Sequence, residues 1–218
     1  MCKEYSKNLQ EVLRTTDWTP VELLADKMLD CWINSKTVYF CGNGGSASQA
    51  NHLSAELLGG MYKEKKEPFN SICLNTDTAF ITAWSNDDSY KNIFVRQLKA
   101  VAQKGDILIL LSTSGNSANI VNAAEFASIN NLKVISLTGN DGGKLSGLSD
   151  MNININSEIE ISGALPVSVT IDKLDQILMT SISPIINQIN NILTPSGYTI
   201  RQFNGIHDFN IVKSLFTY

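Results

Sequence analysis

Basic charge is in short supply in this chain: 17 Lys and Arg against 21 Asp and Glu leave a net charge of −4 and a pI near 5.2. Nucleic-acid footprints are ordinarily basic, so that class of partner is excluded. Long hydrophobic runs are also missing, since no segment approaches the ~20 apolar residues of a membrane helix. The four cysteines, Cys2, Cys31, Cys41 and Cys73, show no C-x-x-C spacing, which excludes a thiolate metal ribbon and a disulfide-stapled scaffold. Met1-Cys-Lys-Glu-Tyr-Ser-Lys-Asn8 lacks the apolar core of a secretory leader. The expectation is a soluble, cytoplasmic protein without repeats or low-complexity stretches.

What remains is ordinary globular material, 43% hydrophobic and 17% charged over 218 residues, enough for one α/β domain with a full core. Thr19 and Pro20 open a helix that runs to Ile33 on Val21, Leu24, Ala25, Met28 and Leu29. Thr37 to Cys41 reads as a buried strand, followed by a Gly-rich loop and a helix to about Leu58. Phe69 to Leu74 gives a second strand, Thr78 to Trp84 a short helix and Tyr90 to Ala102 a longer one. Ile107-Leu-Ile-Leu-Leu111 suits a strand covered on both faces, as in parallel sheets.

A helix over Ala118 to Ile129, a strand at Lys133 to Leu137 and an alternating stretch from Ile153 to Ile161 follow. Pro166 precedes a helix from Val169 to Leu193, interrupted at Pro184. Strands alternating with helices predict a doubly wound parallel sheet, forming one domain over 1–193 with an N-terminal helical segment and a tail over 194–218. Lys63-Glu-Lys-Lys-Glu67 reads as a solvated helix end.

Two loops carry the chemistry. Gly42, Gly44 and Gly45 let the backbone approach a ligand closely, and the helix after Ser46 aims its free N–H groups at the same place. Ser112, Thr113, Ser114 and Ser117 offer hydroxyls ahead of another helix N-terminus, a nest that suits a phosphate monoester. In an open parallel sheet, ligands bind beyond the carboxyl ends of the strands, so both loops should share one edge. Two plainer readings compete. The serines can serve only as helix caps, and Gly42-x-Gly44-x-x-Ala47 matches a dinucleotide fingerprint. The fingerprint needs an acidic residue about 20 positions on, and Asp77 comes too late, so no nucleotide cofactor is expected.

Cys41-Gly-Asn-Gly-Gly-Ser46, His52-x-x-x-Glu56, Asn86-Asp87, Leu111-Ser-Thr-Ser-Gly-Asn-Ser-Ala-Asn119 and Leu137-Thr-Gly-Asn-Asp-Gly-Gly-Lys144, all in order, resemble the sugar isomerase (SIS) superfamily and its phosphoheptose isomerase branch. The resemblance covers about residues 20–190. It implies a five-stranded parallel sheet flanked by helices and a homotetramer with its active site between subunits. It also implies a sugar-phosphate ligand contacted by Asn43, Gly44, Gly45 and Ser46, its phosphate held by Ser112, Thr113, Ser114 and Ser117. Asn86 and Asp87 would bind sugar hydroxyls, and Glu56 would act as general base in an aldose-ketose interconversion through an enediol.

The family binds zinc through this helix, and His52 and Glu56 lie four apart on one face. On the last helix the family's Gln and His positions carry Asp172 and Thr180. Zinc would therefore be held by His52, Glu56 and Asp172, with Asp172 also beside the substrate. Threonine cannot shuttle a proton at neutral pH, and the family's Arg after the Glu is absent from Gly60 and Met61. His207 lies in the tail, where the family has no counterpart. An isomerase is the leading expectation. A non-catalytic SIS module that binds a sugar phosphate or a protein partner is the alternative.

Overall fold

The computed structural model describes residues 2–60 and 68–155. The expected helix over 169–193, Asp172, Thr180, His207, the tail and the Lys63–Glu67 cluster lie outside the described residues. Helices α1 (Cys2–Thr15) and α2 (Thr19–Ile33) lead into β1 (Thr37–Gly42) and α3 (Gly45–Ala55). Then come β2 (Asn70–Cys73), α4 (Thr78–Trp84), α5 (Ile93–Val101), β3 (Ile107–Ser112), α6 (Ala118–Ile129), β4 (Lys133–Gly139), α7 (Leu145–Leu148) and β5 (Met151–Ile155). The strands form one five-stranded sheet in the order β2-β1-β3-β4-β5, parallel at every pairing. The expected architecture is thus present.

Period-two alternation of the buried strands divides the core into two layers. Val38 and Phe40 of β1 and Ile107, Ile109 and Leu111 of β3 face Val21, Leu24 and Met28 of α2 and Leu53 of α3. Tyr39, Cys41, Leu108 and Leu110 point the other way, toward Phe94 and Leu98 of α5 and Ile120, Ala123 and Ala127 of α6. A uniform aliphatic run is what a strand needs when helices cover both of its faces.

Strand order places the chain's switch of direction between β1 and β3, where consecutive crossovers leave to opposite sides and a crevice opens at the carboxyl edge. At the opposite edge the buried Asp106 carboxylate fixes this pair. It accepts from the backbone N–H of Thr37 at 3.1 Å and of Gln103 at 2.8 Å.

The boundaries differ from expectation in informative places. The helix expected to run to Leu58 changes to a π turn over Glu56–Gly60, and a second π turn, Ser85–Ser89, follows α4. A 3₁₀ turn, Tyr90–Asn92, precedes α5 where continuous helix was expected. The last described strand starts at Met151 rather than Ile153, and the short α7 occupies Leu145–Leu148, where no element was expected.

Candidate active site at the β1 and β3 carboxyl edge

β1 and β3 are hydrogen-bonded neighbours, with Gly42 in register with Leu111, so the two Gly- and Ser-rich loops leave the sheet side by side. Gly42 ends β1 against the start of α3, where a Cβ would stand 2.6 Å from the Ser46 carbonyl. Asn75, beyond β2, grips the same backbone: its Oδ1 accepts from the Gly42 N–H at 3.1 Å and its Nδ2 donates to the Gly42 carbonyl at 2.9 Å. Gly44 takes φ 57 and ψ −123, and the chain then enters α3 at Gly45, where the Ser46 and Ala47 amides bond back to the Asn43 and Gly44 carbonyls at 3.0 and 3.1 Å. Gly44 and Gly45 are exposed and Asn43 and Ser46 half-buried, so the loop lies open to a ligand.

The second loop is held from beneath. Gly115 adopts φ +61, and a Cβ there would lie 1.9 Å from the Gly142 carbonyl oxygen. The contact is reciprocated: a Cβ on Gly143 would meet the Ser114 carbonyl at 2.3 Å. Gly139 donates its N–H to the Thr113 carbonyl at 3.0 Å, and Lys144 its N–H to Asn116 Oδ1 at 3.1 Å. The loop after β4 is therefore the floor of the loop after β3.

Ser117 occupies the N-cap of α6 without a side-chain cap bond. The capping alternative therefore fails at that serine, whose hydroxyl is not committed to the helix. Thr113 and Ser114 are exposed, and Ser114 Oγ accepts only a long 3.3 Å bond from the Asn116 N–H. Ser112 is buried at the end of β3. The segment from Ser112 to Ser117 carries four hydroxyls and no Lys or Arg, and its Gly115 and Asn116 N–H groups bond within the loop, to the Ser112 carbonyl and to Ser114 Oγ.

The two loops are also joined directly. Asn43 Nδ2 donates to Asn119 Oδ1 at 2.8 Å, and Asn119 Nδ2 donates back to Asn43 Oδ1 at 2.9 Å. Tyr90 Oη adds a donation to Asn43 Oδ1 at 2.8 Å. Asn75, Tyr90 and Asn119 were not singled out from the sequence. Each acts across more than thirty positions of chain, so local pattern carries no signal for them.

Asn86 and Asp87 lie exposed on the second π turn, with Asn86 Nδ2 donating to Asp87 Oδ1 at 2.8 Å. Glu56 sits half-buried on the first π turn, and its N–H bonds back to the His52 carbonyl. His52 is exposed on the last turn of α3, and no other described residue engages the side chain of either. Among the described residues no three His, Cys, Asp or Glu side chains gather to hold a metal. Asp172, the third expected ligand, lies outside the described residues.

The two described cysteines near this edge are not reactive thiols. Burial, with a smaller contribution from nearby Cys73, raises the Cys41 thiol well above its usual range, and burial raises Cys73 as well. Neither supplies a thiolate at neutral pH.

Comparison with known proteins gives one consistent answer. Residues 3–139 match the SIS domain family. The chain is 39% identical over 183 residues to a phosphoheptose isomerase of Shewanella denitrificans, covering 80% of this chain and 93% of that one. It is 40% identical to the phosphoheptose isomerase of Shewanella loihica over 72% of this chain and 83% of the other. The solved phosphoheptose isomerase of Francisella tularensis superposes with a TM-score of 0.73 at 29% identity, over 82% of this chain and 94% of its own. That of Neisseria gonorrhoeae gives 0.67 at 32% identity, over 80% and 94%.

Proposed function

The chain belongs to the SIS domain family and, within it, to the phosphoheptose isomerases; on that premise we propose that it interconverts the ketose and aldose forms of a heptose 7-phosphate such as sedoheptulose 7-phosphate. The observation that carries the reading is the pairing of two phosphate-compatible loops at the β1 and β3 switch point, with a carboxylate one helix further on. The Ser112 to Ser117 nest takes the phosphate, and its backbone and hydroxyl donors fix one end of an extended sugar. The Asn43 to Ser46 loop takes the oxygens near the carbonyl end, and Asn86 and Asp87 the hydroxyls between.

Glu56 then works as general base. It removes the proton from C1 of the ketose, the electron pair moves into an enediolate between C1 and C2, and the proton returns at C2 as the carbonyl forms at C1. Backbone and amide donors at the Gly-rich loop stabilise the charge on the enediolate oxygen. Thr180 replaces the family's second proton carrier, so proton exchange between the two oxygens falls to water or to the substrate's own hydroxyls.

An imidazole with carboxylates is a donor set suited to zinc. His52 and Glu56 fit it, being one turn apart and engaged by no other described side chain, and Asp172 would complete it. The ion would polarise sugar oxygens. A homotetramer and a cytoplasmic setting complete the reading, supported by the family resemblance. No helix among the described residues is long and apolar enough to cross a membrane.

The test is NMR-monitored incubation of the full chain with a panel of ketose and aldose phosphates, with metal analysis of the same sample. Appearance of the aldose from sedoheptulose 7-phosphate is expected. Thermal stabilisation by sugar phosphates without product would instead favour the non-catalytic binding module.

A further inference from the structure

The Ile120 N–H, acting through Asn119, fixes the polarity of the Asn43 side chain. The N–H of Ile120, shared with the Ser117 carbonyl, donates to Asn119 Oδ1 at 3.0 Å, and an N–H cannot accept. The oxygen of the buried Asn119 amide must therefore face that N–H, which leaves its nitrogen facing Asn43. Asn43 answers with its oxygen toward Asn119 Nδ2 at 2.9 Å, and its nitrogen donates to Asn119 Oδ1 at 2.8 Å. The Tyr90 hydroxyl occupies the second lone pair of Asn43 Oδ1 at 2.8 Å. Both acceptor sites of that oxygen are then spent. One N–H of Asn43 Nδ2 has no partner among the described residues, and Asn43 is half-buried at the mouth of the Gly-rich loop.

We propose that Asn43 meets its ligand only as a hydrogen-bond donor, aimed at the sugar oxygen that becomes negative in the enediolate, and that two positioning residues act on it: Asn119, which imposes this polarity, and Tyr90, which occupies the second lone pair of the amide oxygen. The inference rests on the isomerase reading for the identity of that oxygen. A free asparagine presents an oxygen or a nitrogen with equal ease, and an oxygen turned toward a developing enediolate would repel it. With the orientation fixed in advance, no reorganisation is needed as charge develops. The phosphate has its own nest in the neighbouring loop, which leaves the carbonyl end of the sugar for Asn43.

Asn119→Asp keeps the shape and the acceptor for Ile120 but sets oxygen against oxygen at Asn43. Tyr90→Phe keeps an exposed ring and removes only the hydroxyl, so it remains informative if the buried Asn119→Asp change prevents folding. With sedoheptulose 7-phosphate as substrate, Asn119→Asp is expected to lower kcat by about tenfold or more, and Tyr90→Phe by about threefold, with KM nearly unchanged. In 15N-labelled protein, the Asn43 side-chain amide signals should shift in both variants without ligand and should shift again in the wild type when the sugar phosphate is added.

Wild-type kcat in Asn119→Asp, or a loss confined to KM, would overturn the proposal. If the wild type binds the sugar phosphate but does not turn it over, the isomerase reading fails, and the amide signals still decide the donor role. An Asn43 amide unmoved by bound sugar phosphate would refute it.

Discussion

Asn43, in the loop after β1, and Asn119, in the first turn of α6, are joined face to face by two amide hydrogen bonds of 2.8 and 2.9 Å. Asn119 is 2% exposed, and among the described residues its side chain is satisfied by Asn43 and the backbone of Ile120. Truncating the more exposed partner strands the buried one. Asn43→Ala is therefore expected to cost about 1 to 2 kcal/mol in urea unfolding, more than a typical loop truncation. A double Asn43→Ala, Asn119→Ala variant should cost less than the sum of the single changes, as measured by a double-mutant cycle.

Removing the base without changing its shape separates chemistry from binding. Glu56→Gln is expected to lower kcat by about 10²-fold or more while sugar phosphates still raise Tm. Unimpaired turnover would remove Glu56 from the mechanism.

The proposed phosphate nest predicts the opposite split. Ser114→Ala and Ser117→Ala each remove one hydroxyl that the fold does not need for capping, so the unliganded Tm should hold. KM for the sugar phosphate should rise by about tenfold, with a matching fall in ligand-induced stabilisation.

Two glycines with similar positive φ should respond differently to alanine. At Gly44 (φ +57) nothing lies within 4 Å of an added Cβ, and only conformational strain of about 1 kcal/mol is expected. At Gly115 the same methyl would lie 1.9 Å from the Gly142 carbonyl oxygen. Gly115→Ala should cost about 2 kcal/mol or more and lower Tm by about 5 °C. Thermal melts of the two variants side by side provide the check.

Cys31 is buried on α2, and desolvation, aided by the Asp106 charge, pushes its thiol from 9.0 to about 12. A thiol raised in the folded state contributes its stability below the unfolded value, and that contribution is lost as pH climbs from about 9 toward 12. Stability should therefore fall across that alkaline window. At pH 8, Cys31, Cys41 and Cys73 should resist alkylation until the protein unfolds, which mass spectrometry of iodoacetamide-treated protein would read.

The sheet was legible in the sequence because its physics is local. Ile107 to Leu111 carries no polar residue, and only a strand covered on both faces tolerates that. The two loops were legible through glycine and hydroxyl chemistry next to such strands. The π turns that carry Glu56 and the Asn86-Asp87 pair were not, since an i to i+5 bond has no residue signature distinct from that of the α-helix it interrupts. Asn75, Tyr90 and Asn119 were invisible for another reason. An asparagine that serves a backbone or an amide far along the chain looks, in sequence, like any surface asparagine.

The glycine interlock between the loops after β3 and β4 makes two distant pieces of chain a single machined part. Neither can take a side chain at Gly115 or Gly143 without displacing the other, because a Cβ at either position would run into the backbone of the facing loop. The exposed Asn86 and Asp87 are under no such constraint. A chimera that imports the loop after β3 from a relative should fold only when the loop after β4 is imported with it.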